Sequence, residues 1–355
     1  MNEIEIIAPG RICLFGDHQD YLGLPVIACA IDRTIHLKAI PNTLSHFRIN
    51  MPDIDQRFVI NVDANDLGGS DKFFVAALRV LRRHGFIPAN SYDLEVYGNI
   101  PINAGLSSSS ALVVAWVAFL LKACGSEIDK QQVARLSYEA EVLEFSGPGG
   151  LMDMYSISLG EVIFLDTVSG SHEVLKSSLG TFVIGVSGVA KETLAVLAAK
   201  GTLTKKAISQ IQRAVPAFDL KESTVEDFDR YQELVDEDLL PLFEAAIKNY
   251  DITRKAHKLL KEEVLDLEIL GALMYDHHRL LSENIGVSVP LVDAMVTAAM
   301  KSGAFGGKIV GSGGGGCMVA WCAPDKSEEV IRAIMDTGAA DAFVVEVAKG
   351  IELGF

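Results

Sequence analysis

The sequence predicts an α+β protein of two domains, and three observations lead to this prediction. The chain has 355 residues, which at about 150 residues per domain is enough for two domains that each bury a core. Hydrophobic residues make up 49% and charged residues 22%, a composition that excludes a disordered chain, a coiled coil or a collagen-like fibre. Strand-like segments come mostly first and helical segments mostly later, so the two do not alternate as in a doubly wound sheet.

The first part of the chain is predicted to begin with strands and continue with helices. Short β-rich segments separated by turn signals such as Pro9-Gly10 predict strands at residues 4–8, 12–15, 26–30, 34–40, 47–50, 58–61 and 94–97. A helix is predicted over 71–84, because Phe74, Leu78 and Leu81 share one face. Further helices are predicted at 108–124, 129–145 and from about residue 151, the last after a glycine-rich turn.

A domain boundary is predicted near residue 180, which divides the chain into residues 1–180 and 181–355. Strands return at about 160–166 and 182–186 on either side of it. The second part is predicted to be largely helical, with helices at about 192–214, 226–249, 252–263, 265–284, 289–302 and 326–336. Its later strands are predicted at 307–310, 317–322 and 342–347.

Charge and hydropathy restrict the partners of the chain. Acidic residues number 47 and basic residues 31, so the formal net charge is −16, which repels nucleic acid phosphates and anionic lipids. The first ten residues carry acidic side chains where a secretory signal needs basic ones. The longest uncharged stretch, residues 96–121, is interrupted by Pro101 and by polar residues, so it is too short an apolar segment to span a bilayer. We therefore expect a cytoplasmic chain with five reduced cysteines.

Residues 101–112, which read PINAGLSSSSAL, combine a flexible turn, four serines and the start of an apolar helix. The N–H groups of such a turn and the positive end of the helix dipole can cradle a phosphate. The serines can cap the helix, donate to phosphate or hold Mg²⁺. An ordinary serine cap before a buried helix is the alternative, and no Walker loop is present because Gly-Lys-Ser/Thr is missing.

A second glycine-rich segment, residues 311–317, reads GSGGGGC between two apolar segments. Four consecutive glycines cost backbone entropy. Such a cost is reasonable where a phosphate or another backbone must approach closely, and a flexible turn is the alternative.

Two other segments place charged side chains in apolar surroundings. In residues 8–21 these are Arg11, Asp17, His18 and Asp20. Carboxylates beside an imidazole can bind sugar hydroxyls, which both donate and accept hydrogen bonds, although a solvated turn explains the same pattern. Asp153 follows the glycine-rich turn at a predicted helix start. It is a candidate base, or an acidic residue favoured there by the helix dipole.

Taken together, these segments resemble the GHMP kinase superfamily, which includes galactokinase, homoserine kinase, mevalonate kinase and phosphomevalonate kinase. The match rests on the order and spacing of residues 8–23, 101–112, 141–153 and 307–317. The first of these contains APGR and GDHQDY, which are similar to the galactokinase segments APGR and GEHTDY. The resemblance implies a two-domain GHMP-kinase-like fold with the active site in the cleft between the domains.

The chain also departs from the galactokinase pattern. Asp17 stands where galactokinases have Glu, and Gln19 stands where they have Thr. The glycine run before Cys317 looks more like mevalonate kinase. The galactokinase segment with a sugar-contacting Tyr, expected near residues 188–205, is absent. Kinase activity is therefore better supported than galactose as the substrate.

The resemblance implies phosphoryl transfer from ATP to the anomeric hydroxyl of galactose or a related sugar. It implies Asp153 as general base with Arg11 as its charged partner. The implied sugar contacts are Asp17, His18 and Asp20. Mg²⁺ is implied to bind Glu141 and Ser108, in preference to Ser109. The implied ATP-binding residues are Asn103, Ala104, Gly105, Leu106, Ser107, Ser108, Ser109, Ser110, Gly313, Gly314 and Gly315.

Two alternatives stay open. One is a GHMP kinase for a non-sugar alcohol such as mevalonate, against which Arg11 and the Asp20-Tyr21 pair argue. The other is a non-catalytic sensor that binds sugar and ATP, against which the retained serines and Asp153 argue. The expected partners are a small sugar and ATP with Mg²⁺. Nucleic acid, a membrane or an obligate protein partner is not expected.

Overall fold

A computed structural model describes residues 3–354 of the chain, apart from residues 68, 70, 148, 176–178, 191 and 192. The strands are β1 (Ile4–Phe15), β2 (Val26–Asn42), β3 (His46–Met51), β4 (Gln56–Asn61), β5 (Ser91–Gly98), β6 (Val162–Leu165), β7 (His172–Leu175), β8 (Thr181–Val186), β9 (Ala304–Ile309), β10 (Cys317–Cys322), β11 (Asp341–Val345) and β12 (Glu352–Leu353). The α-helices are α1 (Lys72–Arg83), α2 (Ser108–Ala123), α3 (Lys130–Glu141), α4 (Met152–Leu159), α5 (Thr193–Ala214), α6 (Glu226–Tyr231), α7 (Leu240–Leu260), α8 (Leu267–Arg279), α9 (Pro290–Lys301) and α10 (Ser327–Met335).

The first sheet is built around β1 and β2, which are longer than the sequence predicts. Its order is β12-β1-β2-β5-β3-β4, with β6 and β7 branching from β2. The expected turn at Pro9-Gly10 is instead a register shift inside β1, because a bulge accommodates a proline that cannot donate to the ladder. This continuous strand carries Arg11 across the sheet and ends just before the 16–21 turn.

Four helices, α1 to α4, cover this sheet. The central one, α2, is buried on nearly every side from Ser110 to Leu121, because it packs against α1, α3 and α4 as well as β1 and β2. That surrounding explains why its sequence lacks a polar stripe. Trp116 is buried within α2, and its indole N–H donates to the carbonyl of Phe74 over 3.1 Å.

The second sheet, in the order β11-β8-β10-β9, begins at Thr181 beside the expected boundary. The C-terminal tail departs from the expected division of the chain. Val347 bridges to Ile31, and β12 pairs with β1. Covering the edge of β1 in this way satisfies backbone groups that would otherwise be free to pair with another chain.

The later helices differ from the predicted ones at their ends. The expected helix 226–249 is split into α6 and α7, while α7 runs on to Leu260 without the expected break near residue 250. Pro241 lies in the first turn of α7, where its missing N–H costs nothing. No helix in the described ranges is both long and apolar enough to cross a membrane.

Candidate active site

Asp153 and Arg11 form the centre of the candidate site. Arg11 Nε donates a hydrogen bond to Asp153 Oδ1 over 2.7 Å, and Arg11 Nη1 donates to the carbonyl of Gly105 over 2.6 Å. Arg11 is buried, whereas 28% of the Asp153 side chain is exposed. Burial opposes the charge on Arg11, but Asp153 and Asp17 outweigh it and raise the pKa of the guanidinium. A permanently charged partner therefore holds a carboxylate that stays open to a ligand.

The serine loop, residues 102–107, joins β5 to α2 and lies against β1. Asn103, Gly105 and Ser107 have positive φ angles of 56°, 96° and 60°. Left-handed residues at alternate positions turn successive N–H groups toward one side, a geometry suited to binding an anion. The amide of Arg11 donates to a carbonyl of this loop over 3.2 Å, so β1 holds the loop from behind.

The first turn of α2 continues this anion-binding geometry. Ser107 is the N-cap residue, but its hydroxyl donates to Asp153 Oδ2 over 2.6 Å. The N–H groups of Ser108, Ser109 and Ser110 lie in the first turn, where no helical carbonyl can pair with them. The helix dipole adds positive potential there. The side chains of Ala104 and Leu106 are buried in the core, so only their backbone can reach a ligand.

Glu141, at the end of α3, faces the first turn of α2 through Ser109. Ser109 Oγ donates to Glu141 Oε1 over 3.0 Å. The sequence-based choice of Ser108 as the metal-binding companion of Glu141 stays a prediction, but Ser109 is the serine that contacts Glu141 in this structure. The reason is helical geometry, since consecutive side chains point about 100° apart and only one of the two can face α3.

The surroundings of Glu141 fit a divalent cation. Among the described residues, its second oxygen, Oε2, is buried without a hydrogen-bond partner. Burial, and then the charge of Asp153, raise the pKa of Glu141 to about 7. A divalent cation supplies the positive charge that stabilises the ionised form of this carboxylate. Within the described ranges no three His, Cys, Asp or Glu side chains form a metal site by themselves, so phosphate and water would have to complete the shell.

The 16–21 turn follows β1, and Asp17 anchors it to the second half of the chain. Asp17 Oδ2 lies 2.5 Å from Lys308 Nζ, and the amide of Gly311 donates to Asp17 Oδ1 over 2.9 Å. Asp17 is 2% exposed and Lys308 is 0% exposed. Burial opposes ionisation of Asp17, but Lys308 outweighs it and the pKa of the carboxyl is lowered. Protein donors thus engage both oxygens of Asp17, and its expected sugar contact stays a prediction.

The neighbours of Asp17 on the turn also contact the second half. His18 Nε2 donates to the carbonyl of Ser312 over 3.1 Å. Gln19, the residue that departs from the galactokinase pattern, donates from Nε2 to Thr253 Oγ1 on α7 over 3.1 Å. Tyr21 packs its ring near Gly201 of α5. The turn is therefore held by β9, residues 311 and 312, α7 and α5 together.

Asp20 is the carboxylate of the turn that faces the candidate site. A Cβ added at Gly150 would lie 2.4 Å from Asp20 Oδ2, so glycine is required where the turn approaches the chain before α4. The amide of Tyr21 donates to Asp20 Oδ1 over 2.9 Å. Burial, and then the charge of Asp153, raise the pKa of Asp20 to about 6. Asp20 and Asp153 therefore share one electrostatic environment.

The glycine run 313–316 lies against protein backbone. Gly313 has a φ of 80°, and a Cβ there would lie 2.4 Å from the carbonyl of Val287. The amide of Gly314 donates to that same carbonyl over 2.7 Å. Close backbone approach thus explains the need for glycine at this position. The expectation that Gly313, Gly314 and Gly315 contact ATP stays a prediction.

Three features of the site were not anticipated from the sequence. They are the Ser107–Asp153 hydrogen bond, the Asp17–Lys308 pair and the Gln19–Thr253 contact. Lys308 left a signal as a charged residue within the otherwise uncharged strand β9, and Gln19 left one as a departure from the galactokinase pattern, although neither signal identifies the partner. All three contacts link residues that lie far apart in the chain, and local sequence patterns do not report such contacts.

Two family descriptions match separate segments of the chain, one before and one after residue 180. Residues 72–161 match the family described as "GHMP kinases N terminal domain", and residues 256–340 match "GHMP kinases C terminal". The chain belongs to the GHMP kinase superfamily. Residues 2–39 match the "Galactokinase galactose-binding signature", a segment that contains Arg11 and the whole 16–21 turn. As a member of this superfamily, the chain is an ATP-dependent phosphotransferase.

Individual GHMP kinases are similar over nearly the whole chain. It is 29% identical to galactokinase of Thermococcus kodakarensis, covering 98% of this chain and 99% of that protein. It is 28% identical to mevalonate kinase of Thermococcus onnurineus, covering 98% of this chain and 97% of that protein. Its fold is similar to that of Lactococcus lactis galactokinase solved with galactose, with a TM-score of 0.88, 22% identity, and coverage of 99% of this chain and 95% of that one. The predicted family and α+β fold are confirmed.

Proposed function

We propose that this GHMP kinase transfers the γ-phosphoryl group of ATP to the anomeric hydroxyl of galactose or a related sugar. One observation carries the proposal. The segment matching the galactose-binding signature supplies both Arg11, which holds Asp153, and Asp20, whose pKa responds to the charge of Asp153. A sugar bound by the 16–21 turn would thus lie beside the candidate base.

Asp153 is proposed to accept the proton of the sugar hydroxyl. The oxygen of that hydroxyl attacks the γ-phosphorus at the same time, and ADP leaves. Arg11 and Ser107 donate to different oxygens of the Asp153 carboxylate. Their hydrogen bonds hold the orientation of the carboxylate. Because 28% of the Asp153 side chain is exposed, a hydroxyl can still approach the carboxylate. The positive charge of Arg11 also offsets the charge that spreads over the transferred group.

The serine loop and the first turn of α2 are proposed to bind the ATP phosphates through backbone N–H groups. Ser109 and Glu141 would hold Mg²⁺ beside them. A bound Mg²⁺ ion neutralises phosphate charge and helps to orient the nucleotide. Asp153 lies next to this region because Ser107, the last residue of the loop, donates to it.

On the acceptor side, we propose that His18 and Asp20 contact sugar hydroxyls. Asp20 fits this role because its carboxylate faces Gly150 and the start of α4. Asp17 is left out of the set of contacts, since Lys308 and Gly311 engage its oxygens. A carboxylate that accepts from a hydroxyl discriminates between epimers, because the wrong epimer leaves a buried acceptor unpaired.

The test is a coupled ADP-release assay over hexoses, pentoses, and deoxy-, amino- and uronic sugars, with Mg-ATP in excess. We expect ADP release only when a sugar is present, and the phosphorylated product should carry its phosphate at C1, as seen by ³¹P–¹H NMR. ATP that binds without turnover on any sugar would contradict the proposal. Turnover on a sugar lacking a free anomeric hydroxyl would contradict the assigned position.

A second candidate function is phosphorylation of mevalonate. The whole-chain similarity to mevalonate kinase and the glycine run before Cys317 favour it. The same assay decides between the two when mevalonate and homoserine are included as acceptors. A kcat/KM for mevalonate that exceeds the value for every sugar would replace the sugar assignment.

A further inference from the structure

Lys308 is a fully buried cation that lies outside the reacting groups described above. It projects from β9, and its Nζ contacts Asp17 Oδ2 and donates to the carbonyl of Cys13 over 3.1 Å. Asp17 is tied a second time by the amide of Gly311, two residues beyond β9. These contacts join the end of β1 to β9 across the two halves of the chain.

Stability alone is a poor explanation for this buried pair. Removing two charges from water costs several kcal/mol per ion, and apolar residues of similar volume are often at least as stabilising. The neighbouring His277 adds no charge to the pair, because burial, and then the charge of Lys308, lower the pKa of His277 to about 3.

The position of the pair suggests a different purpose. Asp17 directly precedes His18, whose ring donates to Ser312, and it lies three residues before Asp20. A displacement of Asp17 relative to β9 would therefore move both proposed acceptor contacts. An ion pair fixes this distance more narrowly than apolar packing does, because it is directional and hydrogen-bonded on each side.

We propose that Lys308 is a positioning residue for the acceptor. Through Asp17 it holds the 16–21 turn against β9 and residues 311 and 312, so that His18 and Asp20 meet the acceptor in register with Asp153. Lys308 itself does not touch the acceptor. The inference rests on the proposed function only in that the turn binds the acceptor alcohol, whichever alcohol that is.

The experiment compares Lys308→Met, Asp17→Asn and the double variant with the wild-type enzyme. Each protein is measured for its unfolding temperature, its KM for the acceptor at saturating ATP and its KM for ATP at saturating acceptor. Each single variant leaves one buried charge unpaired and should lower the unfolding temperature. The double variant leaves none and should regain most of that loss. Its acceptor KM should nevertheless stay raised by at least about tenfold, with the ATP KM within about twofold of wild type.

Two further variants complete the design. Asp17→Glu keeps the ion pair and so favours folding, but it changes the distance from Lys308 to the turn by one methylene. It should change the acceptor KM by at least about fivefold without changing the ATP KM. Glu173→Gln is the control. It removes the contacts of β7 with His257 on α7 and with Lys261 just beyond the end of α7. This link across the chain does not touch the turn, so the variant should leave the acceptor KM unchanged.

An acceptor KM within twofold of wild type in the double variant would overturn the inference, because the pair would then be structural only. An equal rise in the ATP KM would overturn it too, since the disturbance would not be confined to the turn. An unchanged acceptor KM in Asp17→Glu would also overturn the inference, because the distance from Lys308 to the turn would then not affect the acceptor. If the wild-type enzyme prefers mevalonate, the sugar proposal fails while the variants still test Lys308 with mevalonate as acceptor. A wild-type chain that uses no acceptor overturns both.

Discussion

Replacing Glu141 by glutamine is expected to stabilise the metal-free protein at pH 8. Its carboxyl is held in a buried position near Asp153, and among the described residues Oε2 has no hydrogen-bond partner. Ionising it there is costly unless a cation is bound. Glutamine has nearly the same shape and can still accept from Ser109, but it carries no charge. The substitution therefore removes the cost along with the proposed metal ligand.

The magnitude follows from the pKa of Glu141, which burial, and then Asp153, raise from 4.5 to about 7. The folded state then holds the proton more tightly than the unfolded state. The stability that this provides is complete below pH 4.5 and is lost as the pH rises through 7. Raising the pKa from 4.5 to about 7 corresponds to about 3 kcal/mol, an upper limit because water can reach part of the residue. Glu141→Gln should thus gain up to about 3 kcal/mol at pH 8 and little below pH 4.5.

The assay is denaturant unfolding of both proteins in EDTA at several values between pH 4.5 and pH 8. The matched control is Glu139→Gln on the same helix, whose carboxylate contacts His84 at 2.8 Å and is 20% exposed. It should change stability by no more than about 1 kcal/mol. Adding Mg²⁺ with a non-hydrolysable ATP analogue should stabilise the wild type more than Glu141→Gln.

A Glu141→Gln protein that is less stable than wild type at pH 8 would refute this reasoning. The carboxylate would then be stabilised by groups in the protein itself. A gain that does not depend on pH would also refute it, because the cost of ionisation must vanish once the carboxyl is protonated.

Three further predictions follow from the same geometry. Asp153→Asn should lower kcat by about 10²–10⁴-fold while calorimetry finds sugar and ATP binding near wild type; turnover within threefold of wild type would exclude Asp153 as the base. Ser109→Ala should raise the Mg²⁺ concentration for half-maximal rate, whereas Ser108→Ala should change it little, and the reverse order would restore the sequence-based assignment. The sugar KM of the wild type should rise as the pH falls through about 6, because protonation removes an acceptor from Asp20. Asp20→Asn should have a higher KM that no longer varies over this range, and a pH profile that survives in Asp20→Asn would point to another group.

The main elements of the fold could be predicted from local patterns, and the errors have physical causes. The predicted helix 71–84 is confirmed as α1, because a single apolar face defines it. The turn expected at Pro9-Gly10 is absent, since pairing along the length of β2 overrides the local preference of these residues. The strand β7 was not predicted, because four residues carry too little periodicity to be recognised. β12 was not predicted either, and its partner β1 lies at the other end of the chain.

The sequence by itself determined the family and the serine loop, because these depend on motifs whose residue types, order and spacing can be read directly. The resemblance to that family then implied the pairing of Arg11 with Asp153, which the structure shows. Only the tertiary structure decided which serine faces Glu141 and that Asp17 is engaged by Lys308. Both results depend on how elements from distant parts of the chain are oriented. Local periodicity reports which face of an element is buried. It does not report which buried group lies opposite, and at this site the opposite group decides whether a carboxylate is open to a ligand or already bound within the protein.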